Sequence, residues 1–238
     1  MANSKLTYFV SDLHMYSSRS QEQRYLAEIE RKAAHADNFV LGGDIFDFRW
    51  STMDTHEETL VGAVDWLRKL AVDCPNCQFY YVLGNHDYNR DLMDSCNYLA
   101  AKYDNFYWRP FYIRLGSSLF LHGDAADRLA TGEELAAART RWLRKEKRGP
   151  VANRLYDLAV ANRLHMPVVR LARTKKTTAK RILSYLRSIG EDPSTGVKNI
   201  YFGHTHFAFM NYRFGGVTFH NGGAPIEGLH FEVIRAVT

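Results

Sequence analysis

Aspartate, histidine and asparagine residues stand in short clusters at five points of the chain, each directly after an apolar run. The clusters read Asp12-x-His14, Gly43-Asp44, Gly84-Asn85-His86-Asp87, His122-Gly123-Asp124 and Gly203-His204-Thr205-His206. Residues two apart in an extended chain project to the same side, so the paired residues of the first and last clusters can converge on one site. Carboxylate, imidazole and amide groups together are typical ligands of a divalent transition metal.

Seven of these side chains are candidate metal ligands, which is too many for one ion and suits two ions that share a carboxylate. They are Asp12, His14, Asp44, Asn85, His122, His204 and His206. Each short pattern by itself is more often an ordinary surface or core feature, but an ordered set of five at strand ends favours a functional site. The glycines beside the ligands let the backbone turn sharply and approach a metal closely.

The polar clusters lie at the ends of predicted strands, which alternate with predicted helices along the chain. The runs "LTYFVSD", "NFVLGGD" and "QFYYVLGNHD" are typical of buried strands that end in polar residues. Between them we predict a helix that starts with a Ser20–Gln23 capping box and carries an apolar stripe of Leu26, Ile29 and Ala33, and another over residues 57–71. Late hairpins with Gly-rich turns complete a layered α/β sheet structure, in which sites gather beyond the carboxyl ends of strands.

Residues 126–190 interrupt this alternation, and we predict that they form a helical cap on a body made of residues 1–125 and 191–238. Three helices are expected, one after a Thr131–Glu134 capping box, one with an apolar stripe over residues 160–171, and one over residues 177–188. The segment holds sixteen basic and five acidic residues, a balance of +11 that leaves −6 for the rest of a chain whose total is +5. Such asymmetry indicates an anionic partner for the cap.

Composition narrows the class of protein further. The chain has 238 residues, 46% of them hydrophobic, which is enough for one large domain with an insertion. No run approaches the roughly 20 apolar residues of a membrane span, and the N-terminus does not have the pattern of a signal peptide. The three cysteines include one Cys74-x-x-Cys77 pair without the second pair of a zinc site, so we expect reduced thiols and a cytoplasmic location.

The ordered set "SDLH", "GGDIFD", "GNHD", "LHGD" and "GHTH" resembles that of the calcineurin-like binuclear metallophosphoesterases over residues 5–124 and 198–237. The resemblance implies an α/β (α+β) four-layer sandwich of two mixed sheets flanked by helices. It also implies that Asp12, His14 and His206 hold one metal, that Asn85, His122 and His204 hold the other, and that Asp44 bridges them. The expected cofactors are two divalent ions, Mn²⁺ first and Fe or Zn as alternatives.

The same resemblance assigns His86 and Asp87 to catalysis. His86 would face the phosphate, and either stabilise its developing charge or protonate the leaving oxygen. Asp87 would orient His86. Asp47 and Asp124 would either support the site in a similar way or cap a loop through side-chain hydrogen bonds.

The basic insertion after "LHGD" is similar to that of the UDP-2,3-diacylglucosamine hydrolase branch, which cleaves a pyrophosphate in lipid A synthesis. This implies a lipid-linked phosphate substrate, candidate binding residues Arg139, Arg163, Lys175 and Lys176, and peripheral contact with the inner membrane surface. The chain departs from that branch at His86, where Arg is usual, at Phe207-Ala208 in place of Arg-Pro, and at Ala125-Ala126-Asp127 in place of Cys-Thr-Asp.

Two other functions fit the sequence. A phosphodiesterase or nuclease would use the basic cap on a nucleic-acid backbone. A metal-free scaffold of the same fold would be a binding protein rather than an enzyme, but the complete ligand set argues against it. We expect the cap to select the substrate while the body performs hydrolysis, so that removal of the cap spares small substrates.

Overall fold

The computed structural model describes residues 5–143 and 174–238. The predicted helix over residues 160–171 and the candidate binding residue Arg163 lie outside these ranges. Within them, every apolar run that precedes a polar cluster forms a short strand.

The first sheet has five strands in the order β10-β1-β2-β3-β4. Strands β1 (Thr7–Val10), β2 (Asn38–Gly42), β3 (Gln78–Val82) and β4 (Phe106–Arg109) run parallel, and β10 (Ile234–Ala236) pairs antiparallel to β1. β2 is buried along its whole length, as expected of a central parallel strand. Because β1, β2 and β3 are parallel neighbours, Asp12, Asp44 and Asn85 emerge at one edge of the sheet.

The second sheet also has five strands, in the order β5-β6-β7-β9-β8. Its strands are β5 (Tyr112–Leu115), β6 (Ser118–Leu121), β7 (Asn199–Phe202), β8 (Phe209–Phe214) and β9 (Val217–Asn221). β6, β7 and β9 are parallel, and β5 and β8 pair antiparallel at the edges. His122 and His204 follow neighbouring parallel strands and therefore leave this sheet side by side.

Five helices cover the outer faces of the two sheets in the described part of the chain. They are α1 (Gln23–Ala33), α2 (His56–Asp73), α3 (Arg90–Lys102), α4 (Gly132–Thr140) and α5 (Lys175–Ser188). One apolar core joins the first sheet to α1, α2 and α3, a second joins the other sheet to α4 and α5, and a third lies between the sheets around Phe9, Phe120 and Tyr201. This confirms the predicted α/β architecture of two mixed sheets flanked by helices.

The N-terminal ends of the helices were predicted correctly for α4 and incorrectly for α1. The Ser20–Gln23 capping box is wrong, because α1 begins at Gln23 and its N-cap residue, Glu22, makes no side-chain cap bond. Ser20 instead accepts a hydrogen bond from the Glu22 backbone N–H just before the helix. The Thr131 capping box is confirmed, since Thr131 accepts from Glu134 N and Glu134 accepts from Thr131 N. A capping box at Thr55 and Glu58, which starts α2, was not predicted.

Candidate active site

The polar clusters meet at the carboxyl ends of strands from both sheets, in backbone conformations that are uncommon for these residues. Five candidate ligands have left-handed φ angles, namely Asp12 (54°), His14 (46°), Asp44 (50°), His204 (64°) and His206 (54°). A non-glycine residue held there costs roughly 1–3 kcal/mol and persists where the surroundings impose it, often at functional sites. Hydrogen bonds from Asp12 N to Gly43 O (3.0 Å) and from His14 N to Asp44 O (2.9 Å) join the first two turns.

Two glycines beside the ligands leave room for the carboxylates. A side chain at Gly84 would collide with the Asp44 carboxylate, and one at Gly203 would collide with that of Asp12. The Asp12 carboxylate also accepts from His204 N, with distances of 2.8 and 2.9 Å to its two oxygens. The chain therefore needs glycine at these two positions for the turns to close on each other.

The first ligand group consists of Asp12, His14 and His206. The Nε2 atoms of His14 and His206 lie 3.1 Å apart, and Nε2 of His206 lies 3.5 Å from Asp12 Oδ1. Asp12 and His14 are fully buried, and His206 is partly exposed. The structure thus brings together the three residues predicted to hold one ion.

The second ligand group consists of Asn85, His122 and His204. Nε2 of His122 lies 3.1 Å from Asn85 Oδ1 and 3.1 Å from His204 Nδ1. The other nitrogen of His204, Nε2, lies 2.8 Å from Oδ1 of Asp127. An imidazole whose far nitrogen is held by a carboxylate has a fixed ring orientation, as is common for metal-binding histidines.

Asp44 lies between the two groups. Its Oδ2 is 3.4 Å from Nε2 of His122 and 3.9 Å from Nε2 of His14, while its Oδ1 accepts a hydrogen bond from His86 N (2.7 Å). One carboxylate oxygen thus faces an imidazole of each group. This is the position required of a ligand shared by two ions.

Charges at the site favour a cation. Burial opposes ionisation of Asp44, but the imidazoles around it, His122 foremost, hold its pKa well below the usual range. Burial favours a neutral His122 ring, yet the surrounding carboxylates, Asp44 foremost, raise its pKa to about 9. For His14, burial and the Arg19 guanidinium lower the pKa to about 3. Buried ionised carboxylates beside imidazole and amide donors fit divalent transition metals. The donor atoms of Asp12, His14 and His206 lie within 4.8 Å of one another, and so do those of Asp44, His122 and His204.

His86 is held by Asp47 and not by Asp87. Nδ1 of His86 lies 2.9 Å from Asp47 Oδ1, and its side chain is 14% exposed at the edge of the site. The Asp87 carboxylate accepts instead from Ile45 N, Gly84 N and the Tyr81 hydroxyl. The contact with His86 that was expected of Asp87 is therefore made by Asp47, and Asp87 braces the loops that carry Asp44 and Asn85.

Arg19 belongs to the same network, although its sequence context gave no sign of it. It is 7% exposed and donates to Asp47 Oδ2 over 2.7 Å, next to Nδ1 of His14, which lies 3.2 Å from the same oxygen. Asp47 thus supports a candidate ligand and His86 at once. From sequence, an arginine seven residues before the predicted stripe has the appearance of a surface residue, and only its burial in the structure singles it out.

The cap residues proposed for substrate binding have different surroundings. Arg139 is 1% exposed and forms a two-pronged ion pair with Asp124, with 2.8 Å in each prong. Lys175 lies over the rings of Phe207 and Phe209, at 5.8 and 5.1 Å from their centroids. Lys176 is exposed near the start of α5. Substrate binding by any of them stays a prediction.

A cavity of about 350 Å³ opens between α4, with its flanking turns, and the second ligand group. The body contributes Asn85 and His204 to its wall, and α4 and its flanking turns contribute Leu135, Arg141 and Trp142. The Trp142 ring lies 5.2 Å from the ring of His86. Polar ligands, cations and apolar side chains therefore line one continuous space.

The two-sheet sandwich and its clustered aspartate, histidine and asparagine residues fit a metal-dependent hydrolase. The family model for calcineurin-like phosphoesterases matches residues 6–208, and the chain belongs to that family. It is accordingly an enzyme that hydrolyses phosphoesters, in a family that depends on two metal ions.

The chain is also similar in sequence to a curated hydrolase whose name states its substrate. The chain is 30% identical, over 209 residues, to a UDP-2,3-diacylglucosamine hydrolase of Chromohalobacter salexigens, and the match covers 84% of this chain and 79% of that protein. Among the described residues, no helix is long and apolar enough to cross a bilayer.

Proposed function

We propose that this enzyme hydrolyses the pyrophosphate bond of a lipid-linked nucleotide similar to UDP-2,3-diacylglucosamine, with two metal ions at the strand-end site. The observation that carries the proposal is the position of Asp44 Oδ2 between the two ligand groups. The similarity to a UDP-2,3-diacylglucosamine hydrolase supports the choice of substrate.

In this proposal the first ligand group, Asp12, His14 and His206, holds one ion, and the second, Asn85, His122 and His204, holds the other. Asp44 is the shared ligand. When bound, two such ions lower the pKa of a water and neutralise phosphoryl oxygens. We propose Mn²⁺ as the native metal, because the carboxylate and amide oxygens at the site suit Mn²⁺. Fe and Zn are the alternatives, because the imidazoles at the site suit these metals.

His86 acts on the phosphate that is being cleaved. With Nδ1 directed at Asp47 (2.9 Å), Nε2 is the ring nitrogen left for substrate. In its imidazolium form the ring donates Nδ1–H to Asp47, and its Nε2–H donates a hydrogen bond to a phosphoryl oxygen or gives its proton to the leaving oxygen, which leaves a neutral ring still bound to Asp47. Its neighbour Trp142 excludes water from one side of the reacting group.

The cavity between cap and body suits a phosphate joined to apolar groups. Arg128 and Arg141 on its wall are exposed cations, whereas Leu135 and Trp142 offer apolar surface. The excess positive charge of residues 126–190 would also hold the enzyme at an anionic membrane surface, where a lipid substrate resides. We therefore place it at the cytoplasmic face of the inner membrane as a peripheral protein.

A substrate screen tests this proposal. The Mn²⁺-loaded enzyme is assayed on UDP-2,3-diacylglucosamine in detergent micelles, a nitrophenyl phosphate monoester, a bis-nitrophenyl diester and single-stranded DNA. We expect the highest kcat/KM on the UDP-lipid, with UMP and a lipid monophosphate as products. A higher kcat/KM on DNA, falling steeply with salt, would replace the proposal with a nuclease. No turnover of any substrate by a metal-loaded protein would contradict it outright.

A further inference from the structure

Two arginines join α4 and α5 to the second ligand group: Arg139, which is buried, and Arg181, which is partly exposed. Arg139 of α4 reaches into the body, where its Nε and Nη2 donate to the Asp124 carboxylate. Its Nη1 donates to the backbone oxygens of Leu83 (2.8 Å) and Pro110. Asp124 lies two residues after His122, and Leu83 lies two residues before Asn85, so one guanidinium ties together the loops that carry two members of the second ligand group.

Arg181 of α5 makes a second link to the same half of the site. Its Nη1 donates to the backbone oxygens of Ala126 (2.9 Å) and Asp127 (2.8 Å). Asp127 in turn contacts Nε2 of His204 through its carboxylate (2.8 Å). Both α4 and α5 therefore hold the turn that follows His122. Through Asp127, this turn also contacts His204, the remaining member of the second ligand group.

The first ligand group has a different support. His14 is braced by Asp47, and Asp47 by Arg19, and both supporting residues belong to the body. Asp12 is fixed by the backbone N–H of His204. Among the described residues, the first ligand group is therefore supported by the body alone. The second ligand group is supported by the body and also by the cap helices α4 and α5.

We propose that Arg139 and Arg181 are positioning residues for the second ligand group, so that occupancy of this half of the site depends on the cap. The inference rests on the proposed two-metal site. Guanidinium suits the task, because its rigid fork binds a carboxylate through two bonds and still has a donor for backbone oxygens, which lysine cannot reproduce. Groups that orient ligands from behind typically change metal affinity by about 10–100-fold.

Metal titration tests the proposal without reference to activity. Wild type, Arg139→Lys, Arg139→Met and Arg181→Met are stripped of metal and titrated with Mn²⁺ by calorimetry, and electron paramagnetic resonance distinguishes coupled pairs from isolated ions. We expect two tight equivalents for wild type. For the variants we expect one tight equivalent, a second weakened by about 10–100-fold, and isolated Mn²⁺ at one equivalent. Arg181→Met should show the smaller effect, since it has no carboxylate partner in the turn.

Arg114→Met is the matched control. Arg114 also joins separate segments, pairing with Glu191 (2.7 Å) and the Thr195 backbone oxygen (2.6 Å), but it contacts no ligand loop. It should lower the melting temperature and leave both Mn²⁺ equivalents tight. If the role of Arg139 were purely structural, Arg139→Met would resemble Arg114→Met and would also keep both Mn²⁺ equivalents tight.

Ligand variants identify the half that is affected. Arg139→Lys should weaken the remaining equivalent in a His206→Ala background and have no further effect in a His204→Ala background. Unchanged affinity for both equivalents in Arg139→Lys, or equal weakening of both, would overturn the inference. If Arg139→Met does not fold, Arg139→Lys decides by the same criterion. A wild type that binds fewer than two equivalents would overturn the proposed site, and this inference with it.

Discussion

Asp47 contacts His86 and His14 through different oxygens of one carboxylate. Oδ1 lies 2.9 Å from Nδ1 of His86, and Oδ2 lies 3.2 Å from Nδ1 of His14, where Arg19 also donates to it. Asp47 is fully buried, which opposes its ionisation, but the His86 imidazole and the Arg19 guanidinium beside it hold its pKa well below the usual range. One ionised side chain therefore sets the orientation of a candidate ligand and of the residue proposed to act on phosphate.

Asp47→Asn should lower kcat by about 10–100-fold, because an amide cannot accept from both imidazoles and the guanidinium. Steady-state kinetics on the UDP-lipid and on a small diester measure the change. Asp87→Asn is the comparison, since Asp87 touches no imidazole of the site and should chiefly reduce the melting temperature. A larger loss of kcat in Asp87→Asn than in Asp47→Asn would restore the orienting role to Asp87.

His86→Ala should lower kcat by about 10²–10⁴-fold while both Mn²⁺ equivalents remain bound. The reason is that Nδ1 is directed at Asp47, so the ring serves the substrate through its other nitrogen. Metal analysis and turnover are measured on the same preparation. His56→Ala, which removes an exposed imidazole paired with Asp91, is the control and should change neither quantity. Loss of metal in step with activity would make His86 a ligand, together with His14 and Asp44.

Arg128→Ala combined with Arg141→Ala should raise KM for the UDP-lipid by about 10-fold, on the order of one charged hydrogen bond. Both arginines are exposed on the cavity wall beside the second ligand group. Turnover of a small diester should change far less, because it does not extend into the cavity. Arg68→Ala, on the exposed face of α2, is the control. An equal change for both substrates would remove these residues from substrate recognition.

His220 gives a prediction for stability that does not involve the metals. Its ring is buried and stacked on Tyr201 at 4.5 Å, both ring nitrogens lack a hydrogen-bond partner among the described residues, and burial lowers its pKa to about 4. The unfolded chain binds a proton near its ordinary pKa of about 6.5, so the stability contributed by neutral His220 is present above that value and is lost as the pH falls from about 6.5 towards about 4.

His220→Phe should therefore lose less stability than wild type on acidification. Between about pH 7 and about pH 5 the difference should be on the order of 1 kcal/mol. Urea unfolding of both proteins in the same buffers measures it, and metal release, common to both, cancels in the comparison. Parallel loss of stability in the two proteins would show that the buried ring is not the acid-sensitive group.

The candidate ligands could be grouped from sequence because each lies within a few residues of the end of a strand, and parallel strands bring their ends together. Their role as metal ligands stays a prediction. The contacts that support the site are predicted from sequence only in part: Asp47 and Asp124 are expected either to support the site or to cap a loop, without named partners. Asp47 and His86 are 39 residues apart, and their contact depends on how two loops fold over the sheet edge. Nothing in the sequence distinguishes Arg19 and Arg139 from arginines on the surface. Only the fold shows that both are buried beside carboxylates. Periodicity located α4 and α5 within a few residues, whereas the start of α1 was placed wrongly because Ser20 caps a turn.

Arg139 also changes an expectation about the cap. From sequence, removal of residues 126–190 was expected to spare the hydrolysis of small substrates. Such a deletion would leave the Asp124 carboxylate without its guanidinium partner and the Leu83 and Pro110 oxygens without a donor. Loss of a buried charged partner is strongly destabilising, so we now expect a cap deletion to impair both small and lipid substrates.

Asp44 is proposed as a ligand shared by two ions, and the Mn²⁺ content of Asp44→Ala is the decisive measurement for this proposal. Mn²⁺ equivalents and turnover of a small diester are measured for wild type, for Asp44→Ala and for Asp65→Ala, an exposed carboxylate on α2 that serves as the control. We predict two equivalents and full activity for wild type and Asp65→Ala, with weakened binding of both equivalents and loss of turnover in Asp44→Ala. An Asp44→Ala protein that retains two tight equivalents and wild-type turnover would contradict the account.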